Sequence, residues 1–196
     1  MSPKGGRVQI IERPVERAAI LADVPIAFTV DRVLFLEVHD DGLKGVTLRE
    51  IPVAQPWVKD YDAVEGEGPT QWAEQFDVSR WGLFTAEVDG QVVGGAAIAF
   101  DTERVHMLEG RKDLAVLWDL RVRPEARSAG TGTLLFRAAE SWARDRDCRE
   151  IKVETQNVNV PACHFYRRMG CTLRSIDRLA YRGLPHEVQL IWSKEI

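Results

Sequence analysis

The dipeptide Asp89-Gly90 stands between two strand-like runs, Gly82–Val88 and Gln91–Phe100. Both residues of a two-residue hairpin loop need positive φ, which Gly adopts freely and Asp tolerates. The pair predicts a long antiparallel hairpin, and such a hairpin contradicts a doubly wound parallel sheet. Downstream the rhythm changes. Leu114–Val122 reads as a further strand ended by Pro124, with Asp119 and Arg121 on one face. Leu135, Ala138, Ala139 and Trp142 then recur at helical spacing, with Arg137, Glu140, Arg144 and Asp145 elsewhere on the helix surface. Residues 151–154 form the next strand. A second helix follows, with Asn159 as N-cap, Pro161 in its first turn, Gly170 as its stop, and Ala162, Phe165, Tyr166 and Met169 as its apolar stripe. Residues 171–181 and 187–193 read as a closing antiparallel pair.

Upstream the pattern is weaker. Residues 26–38 suggest one or two strands, and 71–76 a short helix. Residues 51–70 hold Pro52, Pro56, Gly66, Gly68 and Pro69 and read as loop. Residues 1–25, with Pro3, Pro14 and Pro25, read as a segment wrapped loosely around the body. The order is that of an α+β chain.

Composition narrows the class. The chain has 196 residues and 45% apolar content, enough for one domain with its own core. Its promising apolar stretch, 92–100, is far shorter than the roughly 20 residues a membrane helix needs. No uninterrupted apolar run near the start suggests a signal peptide. Three cysteines without CxxC spacing, Cys148, Cys163 and Cys171, read as free thiols of a cytoplasmic protein. His39, His106 and His186 are scattered without ligand spacing, so no metal is expected. A net charge of −4 disfavours nucleic acid as a partner. That charge is local: residues 60–78 carry Asp60, Asp62, Glu65, Glu67, Glu74 and Asp77 with no Lys or Arg, and the rest is slightly basic.

Between the 114–122 strand and the following helix lies Arg127-Ser128-Ala129-Gly130-Thr131-Gly132-Thr133. A glycine-rich turn at a helix start points unpaired N–H groups outward, where the helix dipole also favours an anion. Arg127 adds a guanidinium suited to phosphate. A P-loop would need a lysine that is absent, and a dinucleotide fingerprint would need glycine where Leu135 stands. A glycine turn that merely starts a helix and binds nothing fits the spacing as well.

Arg127-x-x-Gly130-x-Gly132 after a strand ending Val122-x-Pro124 resembles the acetyl-CoA loop of the GCN5-related N-acetyltransferases. The run Asn159-x-x-Ala162-x-x-x-Tyr166-x-x-x-Gly170 resembles that family's second signature, in the right order and at the right distance. Val153-Glu154-Thr155-Gln156, Asn159-Val160-Pro161-Ala162-Cys163 and Tyr166, then Ile176-Asp177, Tyr181 and Pro185, are similar to its streptothricin acetyltransferase branch. Fainter similarity spans roughly residues 30–190. Cys171 departs from the aromatic usual after the Gly170 position.

The resemblance implies a GNAT fold: a mixed, mostly antiparallel sheet of about six to seven strands flanked by helices. It implies one N-acetyltransferase domain over 1–196, with 1–25 peripheral, 26–113 on the acceptor side, and 114–196 binding acetyl-CoA and closing the sheet. The implied reaction moves an acetyl group directly from acetyl-CoA to a primary amine of a small cationic molecule. Streptothricin, with amino groups on a β-lysine chain, is one such acceptor. An amino acid or a protein N-terminus is an alternative within the fold, and a CoA-binding module without turnover is one outside it.

The site residues follow from the same resemblance. Amides of Ser128, Ala129, Gly130, Thr131, Gly132 and Thr133, with Arg127, take the pyrophosphate. Backbone groups of Leu120, Arg121 and Val122 pair with the pantetheine arm, with a donor near Leu120 for the oxyanion, and Asn159 and Tyr166 complete the cofactor side. Tyr166 is the candidate acid for the departing thiolate, a buried core tyrosine being the other reading. Asp119 and Glu154 are the candidate bases, although each could instead only orient water or substrate. Acidic residues 60–78, near Trp57, Trp72, Trp81 and Trp118, suit a cationic amine. A solvated acidic loop is the plainer alternative. A second copy of the chain is an optional partner, since dimers are common in the superfamily.

Overall fold

Asp89 and Gly90 take φ of 50° and 78°. The runs they join pair antiparallel from Gly82↔Ile98 to Val88↔Gln91. The computed structural model describes residues 6–64, 66 and 68–196. Along the chain run β1 (Gln9–Arg13), β2 (Phe28–Val38), β3 (Val46–Lys59), α1 (Trp72–Gln75), β4 (Gly82–Val88) and β5 (Gln91–Phe100). Then come β6 (Leu114–Val122), α2 (Thr131–Arg144), β7 (Glu150–Gln156), α3 (Val160–Arg168), β8 (Thr172–Asp177) and β9 (Gln189–Glu195). Seven strands form one mixed sheet in the order β1-β4-β5-β6-β7-β9-β8, and β2 and β3 form a separate ribbon. The β6–β7 pairing is parallel and the hairpin pairings are antiparallel, as the α+β reading requires.

Two compact units divide the chain. The first comprises Met1–Ile26, Asp60–Val153 and Glu195–Ile196. Its core gathers Leu21, Leu83, Ala97, Leu114 and Val116 with Trp72 and Trp81. Helix α2 packs on β4, β5 and β6. It buries Leu135, Ala139 and Trp142 of the expected stripe, with Phe136 and Ala143 beside them. Glu140, expected on the surface, is 6% exposed. It pairs there with Arg144 one turn on, at 2.9 Å.

Residues 6–25 are not a loose wrap, and residues 1–5 of that segment, with Pro3, lie outside the described residues. Gln9–Arg13 joins the sheet edge against β4. A 3-10 turn over Val15–Asp23 buries Val15, Ala18 and Leu21. Pro14 caps that turn and Pro25 follows it, so the prolines punctuate structure and do not prevent it. Gly95 makes room for Leu21: a Cβ there would meet Leu21 Cδ2 at 2.1 Å and the Phe84 carbonyl oxygen at 2.8 Å.

The second unit comprises Ala27–Lys59 and Glu154–Lys194. Here β3 extends to Lys59, through Pro52 and Pro56, where loop was expected. The ribbon has two strands, so β3 keeps one edge outside the ladder, where a residue lacking N–H is tolerated. Asn157, 5% exposed, stitches the unit together. Its Nδ2 donates to the Leu34 carbonyl at 3.2 Å and its Oδ1 accepts from Val188 N at 2.8 Å. Helix α3 begins and ends as expected: Asn159 Oδ1 accepts from Ala162 N at 3.2 Å. Gly170, at φ 88°, sends its N–H back to the Arg167 carbonyl while Cys171 N reaches the Tyr166 carbonyl. Strands β8 and β9 close the chain as the predicted antiparallel pair. Among the described residues no helix is long and apolar enough to cross a membrane.

Candidate active site

In the first unit several candidate residues gather on β6. Ile98 faces Leu117 and Ala97 faces Asp119, so Trp118 is an extra residue, a β-bulge. The parallel ladder to β7 runs from Leu114↔Glu150 to Val116↔Lys152, and β6 continues six residues beyond it. That stretch contains Leu120, Arg121 and Val122. The loop that follows is tied back, because Arg127 Nε donates to the Val122 carbonyl at 2.9 Å. Ser128 and Gly130 take positive φ, 62° and 87°, and turn the chain into α2. Gly130 is the N-cap and offers no side chain to the first-turn amides. Thr131 is 1% exposed, and its Oγ1 is a buried hydroxyl without a protein partner among the described residues. Backbone donors at a helix start and an orphaned hydroxyl suit a phosphate-bearing ligand. Ala129, Gly132 and Thr133 complete this turn.

Arg121 and Asp119 do share one face, and both are buried. Arg121 Nε and Nη2 grip the two Asp119 oxygens at 2.9 and 2.7 Å. Nη1 and Nη2 reach Asp62 at 2.7 and 3.1 Å, and Nη1 also donates to the Leu21 and Val24 carbonyls. All five guanidinium N–H donors are thus engaged. Burial pushes the Asp119 carboxyl above its ordinary value, Arg121 pulls it down, and Asp62 repels it. The strand alternation pairs Asp119 with Arg121, but Asp62 carried no local signal of its part.

Asp62 is one of six acids in the 60–78 segment. Asp60 Oδ1 accepts from Asp62 N, and Asp77 Oδ1 from Ser79 N, so both hold turns. Hydrogen bonding to Ser79 keeps the Asp77 carboxyl below the ordinary range. Glu74 is exposed, while Glu65 and Glu67 lie outside the described residues. The tryptophans do not wall this segment. Trp72 and Trp81 are 2% and 5% exposed. They stack with Phe76 and Trp118 in the core, with centroids 5.1 to 6.2 Å apart. Trp57 is 41% exposed on β3, in the second unit. Trp81 satisfies its one polar atom by donating Nε1–H to Thr102 Oγ1 at 2.8 Å, and the hydrophobic effect keeps these large rings inside.

In the second unit the pleat of β7 sorts its side chains. Thr155 points to the interior, where it accepts from Trp192 Nε1 at 2.9 Å and touches Cys163 Sγ. Glu154 and Gln156 lie on the opposite face, half-buried. Tyr181 donates its hydroxyl to Glu154 Oε1 at 2.5 Å, and Gln189 Nε2 donates to Oε2 at 2.8 Å. Gln156 Nε2 donates in turn to the Tyr181 oxygen at 2.8 Å. The roles of Gln156 and Gln189 were not legible, since a glutamine in a strand has no spacing signature. Tyr166 is 6% exposed on α3, edge-on to Phe165 at 5.1 Å between centroids. Asn159 serves as the cap already described. His164, its side chain 43% exposed, holds Glu50 Oε2 at 2.8 Å. That bond, with Arg32 on Oε1, keeps the Glu50 carboxyl below its ordinary value. Arg167 and Arg168 are exposed on the helix surface. All three cysteines are buried free thiols.

Comparison with known proteins agrees with this architecture. The acetyltransferase (GNAT) family profile matches residues 52–171. Streptothricin acetyltransferase of Streptomyces lavendulae is 31% identical over 161 residues, covering 82% of this chain and 79% of that protein. The Escherichia coli streptothricin acetyltransferase is 27% identical over 180 residues, 90% of each chain. The crystal structure of nourseothricin acetyltransferase matches with a TM-score of 0.74 and 30% identity, over 96% of this chain and 98% of that one. The loop before α2, the orphaned Thr131 hydroxyl and these relatives agree, and the chain belongs to the GNAT acetyltransferase family as an acetyl-CoA-dependent N-acetyltransferase.

Proposed function

We propose that the chain acetylates a primary amine of a small cationic antibiotic of the streptothricin type. The similarity to streptothricin acetyltransferases over most of both chains carries this reading. Residues 1–196 work as one cytoplasmic N-acetyltransferase domain, a setting supported by three free thiols. The acceptor is a small molecule, not nucleic acid or membrane, and a second copy of the chain is an optional partner.

Acetyl-CoA, when bound, supplies an activated acetyl thioester. The turn of Arg127, Ser128, Ala129, Gly130, Thr131, Gly132 and Thr133 holds its phosphates, with the Thr131 hydroxyl gaining the partner it lacks. The edge of β6 that runs past its β7 ladder, at Leu120, Arg121 and Val122, offers backbone groups to an extended ligand arm. Asn159 shapes the start of the helix that carries Tyr166.

The amine must shed a proton to attack. Glu154 is the better base of the two carboxylates, because it accepts from the neutral donors Tyr181 and Gln189 and not from a bidentate guanidinium. Asp119 would have to surrender a bidentate, buried bond to Arg121, so its part is to hold β6. As the new N–C bond forms and the C–S bond breaks, the Tyr166 hydroxyl gives its proton to the departing sulfur. The ammonium proton leaves through Glu154 to water before attack, and the second proton, which the nitrogen loses as the amide forms, restores the Tyr166 hydroxyl. An assay of thiol release from acetyl-CoA against streptothricin and a panel of small amines tests the proposal. Turnover with streptothricin at least tenfold above the panel is expected. Equal turnover with an amino acid or a protein N-terminus would overturn the acceptor, and no turnover with any amine would leave a CoA-binding module.

A further inference from the structure

We infer that Gln189 is a positioning residue for the Glu154 carboxylate and sets the pH at which the amine is deprotonated. The inference rests on the reading of Glu154 as the base. Gln189 opens β9, where Leu190 and Trp192 are buried on one face at 0% and 7% exposure. The pleat turns Gln189 to the other face, and there its Nε2 donates to Glu154 Oε2 at 2.8 Å. Tyr181 takes the other oxygen at 2.5 Å and is itself steadied by Gln156 at 2.8 Å. Two donors, one on each oxygen, fix the plane of the carboxylate and favour its ionised form.

Several of the charged and titratable groups on the elements of this unit have partners of their own, and Arg174 on β8 and Lys194 on β9 are further charged groups there. Asp177, across the ladder from Gln189, accepts from Leu179 N at 2.7 Å. Lys59 and Glu187 pair with each other at 2.6 Å. His164 on α3 is held by Glu50, which Arg32 also holds. Along β7 itself, Lys152 pairs with Glu109 at 2.6 Å. Arg178, Arg182 and His186 belong to the segment before β9, and Tyr166 is buried on α3. Gln189 is a neutral donor on Oε2 that a substitution can remove without leaving a buried charge behind.

The test compares Gln189→Leu and Gln189→Glu with the unaltered enzyme, using streptothricin as acceptor. The acidic limb of the kcat/KM profile should move up by about one pH unit in the leucine variant and further in the glutamate variant. The amine's own titration is common to all three and cancels. The KM for acetyl-CoA should stay within about twofold, since Gln189 is given no part in holding it. A readout independent of turnover is the titration of the Glu154 side-chain carbon by carbon-13 NMR, whose midpoint should move by the same amount. Limbs and midpoints that stay in place in both variants, while Glu154→Gln abolishes the limb, would overturn the role of Gln189 alone. A Glu154→Gln enzyme with the unaltered profile would overturn the base itself.

Discussion

Asp119 and Glu154 are two carboxylates near strand ends, one in each unit, and their surroundings differ in kind. Asp119 is buried and gripped on both oxygens by a charged fork whose remaining donors reach Asp62 and two backbone carbonyls. Glu154 is half-buried and takes one neutral donor on each oxygen. A carboxylate whose partners are charged and dry holds structure, because protonation would leave those partners stranded. A carboxylate with neutral partners can take up a proton and give it back. The same side-chain chemistry therefore serves architecture in the first unit and supports the proposed proton transfer in the second.

The comparison can be broken from either side. The largest effect belongs to Arg121. Arg121→Met leaves Asp119 buried without its cation and should cost about 3–5 kcal/mol in urea unfolding. A cost below about 1 kcal/mol would show that the cluster holds nothing. Next comes the second unit's helix. Tyr166→Phe should lower kcat about a hundredfold, close to 2.7 kcal/mol of barrier, with the KM for acetyl-CoA unchanged. A kcat within twofold would make Tyr166 a packing residue.

Smaller effects sharpen the picture of the interiors. Gly95→Ala forces Leu21 off the sheet and should destabilise by about 1–3 kcal/mol, read as a lower midpoint of denaturation. Burial pushes the Cys148 and Cys163 thiols up to about 11. A thiol titrating there is roughly a thousandth ionised at pH 8, so a disulfide reagent should find it silent in the native protein. Raising the pH towards 11 should increase its reactivity, and unfolding should expose three thiols per chain. Rapid native reaction at pH 8 would contradict the burial.

Legibility in the sequence followed the range of the signal. Asp89-Gly90, Asn159, Pro161 and Gly170 act on their own neighbours, and the structure places each as its local chemistry requires. The part of the chain from β4 to α3 could be read for this reason. The failures were non-local. Prolines near the start suggested a loose segment, but Pro14 and Pro25 sit at the joints of a strand and a 3-10 turn. Pro52 and Pro56 suggested loop, and a ribbon edge absorbed them. The acidic run looked like one feature, yet Asp62 serves Arg121, which stands 59 positions away. Gln189 meets Glu154 across 35 positions, and no spacing within one strand announces such a pair.

The most direct measurement sets Asp119→Asn beside Glu154→Gln, with kcat/KM and thermal midpoint determined for both. The account predicts that Glu154→Gln loses about a hundredfold in kcat/KM with its midpoint unchanged. Asp119→Asn should lower the midpoint by several degrees and keep the activity of its folded fraction within about tenfold. If Asp119→Asn instead loses its activity at an unchanged midpoint while Glu154→Gln stays active, the assignment of structure to one carboxylate and chemistry to the other is wrong.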